Sequence, residues 1–189
     1  MKTIVRAAII VLVVLALVIT AGALSAGTAC AHDPRFACSP RDAAHPIVAP
    51  DAAKSWAFYG RLEEGQEDYY SIQARTKTRV PISILLDVRD AGNPARPVAS
   101  VYDGAGTILD RIDLSNPASF YEPFSRVQYL TSPEREITLA QGRSTVVIEM
   151  RGGSEPQRYV FALGRDERFG LLELPYVAGA LYRIHMRKF

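Results

Sequence analysis

From Lys54 onward the chain is built of short segments in which apolar and polar residues alternate, separated by Gly, Asp, Asn and Pro. A period of two is the mark of strands with one face in a core. Trp56, Phe58, Gly60 and Leu62 fall on one face of the first segment, and Ala57, Tyr59 and Arg61 on the other. Glu64-Gly65-Gln66 then leads into Asp68-Tyr69-Tyr70-Ser71-Ile72, which predicts a hairpin. The longest candidate core strand carries Val80, Ile82, Ile84, Leu86 and Val88 on one face, and Pro81 near its start marks an edge or entry point. Asp90 to Pro94 reads as a loop, and Val98–Tyr102 and Thr107–Ile112 as a second hairpin around Asp103-Gly104-Ala105-Gly106.

Further strands are predicted at Val127–Leu130, Glu136–Leu139, Ser144–Met150 and Arg158–Leu163, giving eight or nine short strands and no helix among them. A sheet of that size must bury one face, and a second sheet is the simplest cover. The expected fold is therefore all-β: a single antiparallel, jelly-roll-like β-sandwich over 54–164. A Pro-rich linker or extended edge segment over 32–53 precedes it, carrying Pro34, Pro40, Pro46 and Pro50. Residues 165–189 form an apolar and basic C-terminal segment, expected as a closing strand or short helix docked on the sandwich. The alternative is a segment lying on a membrane surface through 171–188.

The first thirty-one residues change the address. Lys2 and Arg6 precede an uncharged apolar run, Ala7–Leu24, as in a secretory signal, and the positive end stays in the cytoplasm. Small residues at Ala29-Cys30-Ala31 favour cleavage; retention of 7–24 as a membrane anchor and lipidation at Cys30 are the alternatives. The remainder of the chain is expected to be extracytoplasmic. Cys30 and Cys38 would pair in a small disulfide loop if the mature chain keeps both, whereas cleavage before His32 leaves Cys38 alone.

Charge excludes one class of partner. The chain has 22 Lys and Arg against 20 Asp and Glu, and two of the cations lie in the leader. A near-neutral exported part lacks the footprint of a nucleic-acid binder.

Two segments resemble the bacterial pre-peptidase C-terminal-like domain. Trp56–Leu62 with Asp68–Ile72 is similar to its opening, a strand ending in G-x-L followed by a D-x-Y strand. Gly142–Ile148 and Arg158–Gly164 are similar to its closing pair. The resemblance covers about Lys54 to Gly164. It implies a jelly-roll-like sandwich with an accessory binding or stabilising role in exported proteins, and it carries no catalytic residues. The segment Ala118–Phe124 is outside that pattern, and with Tyr129 it gives a candidate aromatic loop: Phe120, Tyr121, Phe124 and Tyr129. Such rings either cap the core or face a protein or carbohydrate partner.

Candidate chemistry is sparse. His32, His45 and His185 all lie outside the predicted sandwich, so neither a nucleophile with its base nor a zinc site is expected. Acidic residues cluster at turns, where they usually bond their own backbone. No cofactor is expected, calcium being the one candidate. The reading is a non-enzymatic accessory protein of the cell envelope; a membrane-anchored structural protein and a carboxylate-dependent hydrolase are the alternatives.

Overall fold

Alternating side chains become extended backbone through most of the molecule. The computed structural model describes residues 32–37, 41–123, 125–168, 174–186 and 188; the apolar run 7–24, Cys30, Cys38 and Phe124 lie outside the described residues. In chain order the strands are β1 (Asp33–Phe36), β2 (Ile47–Ala49), β3 (Trp56–Leu62), β4 (Glu67–Ala74), β5 (Thr78–Asp87), β6 (Arg96–Tyr102), β7 (Ile108–Ile112), β8 (Ala118–Glu122), β9 (Val127–Thr131), β10 (Arg135–Leu139), β11 (Gly142–Arg151) and β12 (Gln157–Leu163). A 3-10 turn at Val88–Asp90 ends β5 early, and one helix, α1 (Leu174–His185), follows the strands.

The strands form two sheets. One has seven strands in the order β1-β3-β12-β5-β9-β8, with β10 also paired to β5; the other has five, β2-β4-β11-β6-β7. Their facing residues share a core. Trp56, Phe58, Ile82, Ile84 and Phe161 from the first sheet meet Tyr70, Ile72, Val101, Val146 and Ile148 from the second. Phe58 stacks on Phe161 at 5.8 Å, and Tyr70 tilts against both.

Three expectations are corrected. The sheets are mixed rather than antiparallel, because β1 runs parallel to β3 and β2 parallel to β4. Segment 32–53 lays one strand on the edge of each sheet and reaches its partner by a long connection, which permits parallel pairing where a tight turn would not. The first predicted hairpin does not form: β3 pairs with β12 and β4 with β11, so the Glu63–Gln66 turn carries the chain from one sheet to the other. Pro81 lies in a central strand, with β10 on one side of it. Its carbonyl accepts from Gly164 N, so its nitrogen faces the same side, where the β12 ladder ends at Leu163–Ile82, and takes no bond from the β10 side.

The seven-stranded sheet is covered on its other face as well. Ala57, Tyr59, Leu85, Val127, Tyr129, Val160 and Ala162 form a second cluster beneath Ile184 of α1. This explains why β3, β5 and β12 are apolar on both sides. The C-terminal segment is thus a short docked helix, and among the described residues no helix is long and apolar enough to cross a membrane. Near the start of the fold, Asp33 is fully buried and takes Lys54 Nζ at 2.7 Å and Arg35 Nη2 at 2.9 Å. Both cations lie over Trp56, and Arg35 also lies over Tyr176 of α1, tying β1, β3 and the helix together.

Candidate functional site

The outer face of the five-stranded sheet follows directly from the pleat. Tyr70 of β4, Val146 of β11 and Val101 of β6 are fully buried, so their chain neighbours Tyr69, Thr145, Val147 and Tyr102 turn outward. Register aligns them in rows: Tyr69 opposite Val147, and Thr145 between Ser71 and Tyr102. Tyr69 and Tyr102 therefore stand on strands two steps apart, about 10 Å across the sheet, with β11 as the floor between them.

The turn after β6 raises a wall at one end. Asp103 Oδ1 accepts from the backbone N–H groups of Ala105 at 2.9 Å and Thr107 at 2.8 Å. Gly106 takes the positive φ of 83° that this turn requires. With Glu67, Arg143 and the two tyrosines, the wall encloses an open cleft of about 520 Å3. Tyr69 Oη donates to Glu67 Oε2 at 2.6 Å. That bond, reinforced by burial and by the Glu67 and Tyr102 charges, raises the Tyr69 phenol above its ordinary range. The Arg143 side chain lines the same cleft and makes no hydrogen bond or ion pair among the described residues.

Nothing in the cleft forms a nucleophile with its base. None of the three histidines lines it. His45 is at the surface beside Asp42, and His185 Nδ1 lies 3.2 Å from the Ser125 carbonyl. His32 is held below its ordinary value by burial. Among the described residues, no group of three or more His, Cys, Asp or Glu side chains could hold a metal ion.

The aromatic residues singled out from the sequence do not form one loop. Phe120 and Tyr121 lie in the edge strand β8, 37% and 53% exposed, on its opposite faces. Tyr129, opposite Phe120 in β9, is only 3% exposed and packs below α1, where burial pushes its phenol up. Phe124, Cys30 and Cys38 lie outside the described residues. The sequence reading missed Tyr69, Tyr102 and Arg143 as a group. The available signal was tyrosine at outward positions of two strands and arginine at an outward position of a third, but only sheet order makes them neighbours.

No protein-family profile matches the chain, and no curated protein matches it. Solved structures resemble it at low identity. The pre-peptidase C-terminal domain of collagenase from Bacillus anthracis aligns at 10% identity and TM-score 0.40, over 66% of this chain and 97% of that one. A carbohydrate-binding module from Cellvibrio mixtus lichenase 5A, in complex with cellotriose, aligns at 11% identity and TM-score 0.33, over 56% and 75%. The CBM35 module from Cellvibrio japonicus Abf62 aligns at 17% identity and TM-score 0.32, over 57% and 74%.

Proposed function

We propose that this protein is a non-enzymatic β-sandwich of the cell envelope that binds a neutral glycan in the cleft between Tyr69 and Tyr102. The observation that carries the reading is the pair of phenol rings flanking a floor of Thr145 and Val147, with the Arg143 side chain making no hydrogen bond or ion pair among the described residues. Aromatic faces stack on the apolar faces of sugar rings, and a few placed polar groups then fix orientation. Arg143 supplies donors for sugar hydroxyls, and Glu67 and Asp103 supply acceptors. Two carboxylates against one guanidinium disfavour an anionic polymer. The apolar run 7–24 behind Lys2 and Arg6 supports export, which brings such a module to envelope glycans.

The test is a titration of the protein with neutral oligosaccharides of different linkage. Binding should weaken about tenfold for Tyr69→Ala or Tyr102→Ala, the loss of one stacking contact. Binding indifferent to both substitutions would remove the cleft from the function. Turnover of a bound oligosaccharide that disappears in Glu67→Gln would favour the hydrolase instead.

A further inference from the structure

We infer that the cleft selects a glycan whose sugar rings turn over at every linkage, as they do in an extended β-1,4-linked chain; this rests on the reading of the cleft as a glycan site. The observation is a stagger in the sheet. At the level of Val147 on β11, Tyr69 stands on the β4 side and Ser100 on the β6 side. At the next outward level, Thr145, the order is reversed, with Ser71 on β4 and Tyr102 on β6. Directly opposite residues share a face of the sheet, so all four point outward with Thr145 and Val147. The two levels lie about 7 Å apart along the strands, and the two walls about 10 Å apart across them.

Each phenol ring therefore has a serine across the floor from it, a side chain too small to close the groove. A sugar ring standing on edge between the walls can stack its apolar face on the tyrosine of its level. Tyr69 is fixed on its wall by the 2.6 Å bond from its Oη to Glu67 Oε2. On the other wall, the turn after Tyr102 is braced by Asp103 Oδ1 through the N–H groups of Ala105 and Thr107. Register puts Glu67 one level beyond Tyr69, opposite Glu149, and Arg143 one level beyond Tyr102, opposite Gln73. Along its length the cleft thus presents Glu67, Tyr69, Tyr102 and Arg143 in that order, an acceptor at one end and donors at the other.

Two aromatic rings on opposite walls, one level apart, both stack only on a glycan that offers its apolar face first to one side and then to the other. The step of about 7 Å between them is of the order of one sugar residue. In a β-1,4-linked pyranose chain both linkage bonds are equatorial and leave from opposite ends of the ring, so each ring is turned over relative to the one before. The same face then looks alternately towards β4 and towards β6, which is the alternation that Tyr69 and Tyr102 provide. Successive rings of an α-1,4-linked or β-1,3-linked chain turn gradually about a helix, and such a chain engages one tyrosine at a time.

The experiment titrates the full-length protein with four neutral tetrasaccharides: cellotetraose and tetraacetylchitotetraose, both β-1,4-linked, laminaritetraose, which is β-1,3-linked, and maltotetraose, which is α-1,4-linked. The better of the two β-1,4-linked probes should bind about tenfold more tightly than laminaritetraose and maltotetraose, the worth of the second stacking contact. Tyr102→Ala should bring that probe to within about threefold of the other linkages. Ser100→Tyr combined with Tyr102→Ser keeps two rings but moves the second to the Val147 level, directly across from Tyr69. This double variant should lose the linkage preference while its circular dichroism stays that of the folded sandwich. Laminaritetraose or maltotetraose binding as tightly as the β-1,4-linked probes, and weakened by Tyr69→Ala, overturns the linkage assignment and keeps the cleft as a glycan site. A preference that survives both Tyr102→Ala and the double variant overturns it as well. No binding of any probe, or binding indifferent to both tyrosines, removes the glycan reading itself and the linkage assignment with it.

Discussion

Gly60 offers the sharpest test of how the core is built. It sits opposite Tyr159 in the β3–β12 pair, and a Cβ placed on it would fall on Tyr159 Cζ and Oη. Tyr159 Oη donates to Asp68 Oδ2 at 2.6 Å, so the 2.7 Å contact between its oxygen and Tyr70 Oη is donated by Tyr70. Asp68 also accepts from Arg41 N at 2.7 Å, and Asp68 is 0% exposed. Gly60→Ala must push the ring aside and break a bond to a buried carboxyl group, worth about 2 kcal/mol, together with a phenol–phenol bond worth about 1 kcal/mol. The smaller backbone entropy of alanine in the unfolded chain returns about 0.5 kcal/mol. The expected net loss is about 2 to 3 kcal/mol, a large share of a typical domain's total. Urea unfolding followed by far-ultraviolet circular dichroism reads it as a lower midpoint at constant slope. Tyr159→Phe deletes both bonds and should by itself lose about 3 kcal/mol, and in the Gly60→Ala background much less, because the same hydroxyl is already displaced. A loss below about 0.5 kcal/mol for Gly60→Ala, or strict additivity of the two changes, would refute the account.

Three further outcomes are expected. Tyr59, Tyr70 and Tyr159 are held well above the ordinary phenol value of 10.0, chiefly by burial, and Tyr129 is raised for the same reason. Above pH 10 the unfolded chain loses protons the folded one keeps, so stability is intact below that value and falls as pH rises. The limiting slope is about 5 kcal/mol per pH unit for four phenols, and the share of phenolate absorbance that belongs to these four should appear together with unfolding rather than before it. Asp33→Asn removes the carboxylate between Lys54 and Arg35 and should destabilise by about 3 kcal/mol, with faster hydrogen exchange appearing first in β1 and α1. In the cleft, Tyr69→Phe keeps the ring and deletes the hydroxyl that bonds Glu67. Glycan affinity should then stay within about threefold of the native protein, in contrast to the alanine variant.

The alternation of Trp56, Phe58 and Leu62 against Ala57 and Tyr59 was enough to assign strands and an inward face, because the pleat is a local property. It could not assign partners. Nothing in Glu63–Gln66 distinguishes a turn within one sheet from a turn between two, and here the chain crosses. Short strands were invisible for a related reason: β1 and β2 have four and three residues, at most two periods of alternation, and β1 contains Pro34. Strand β8 was obscured because Pro117 and Pro123 frame it and its residues are mostly exposed. The cleft was the least legible part. Tyr69, Tyr102 and Arg143 are far apart in sequence, and they become neighbours only through the pairing of β4, β11 and β6.

The two parallel margins have a consequence for where this domain begins. Both outermost strands on that side, one per sheet, belong to a single ribbon of chain between residues 33 and 49. A cut at residue 54 would strip both borders together, leaving β3 and β4 with open backbone hydrogen-bonding groups, the kind of selvage along which neighbouring molecules stitch into aggregates.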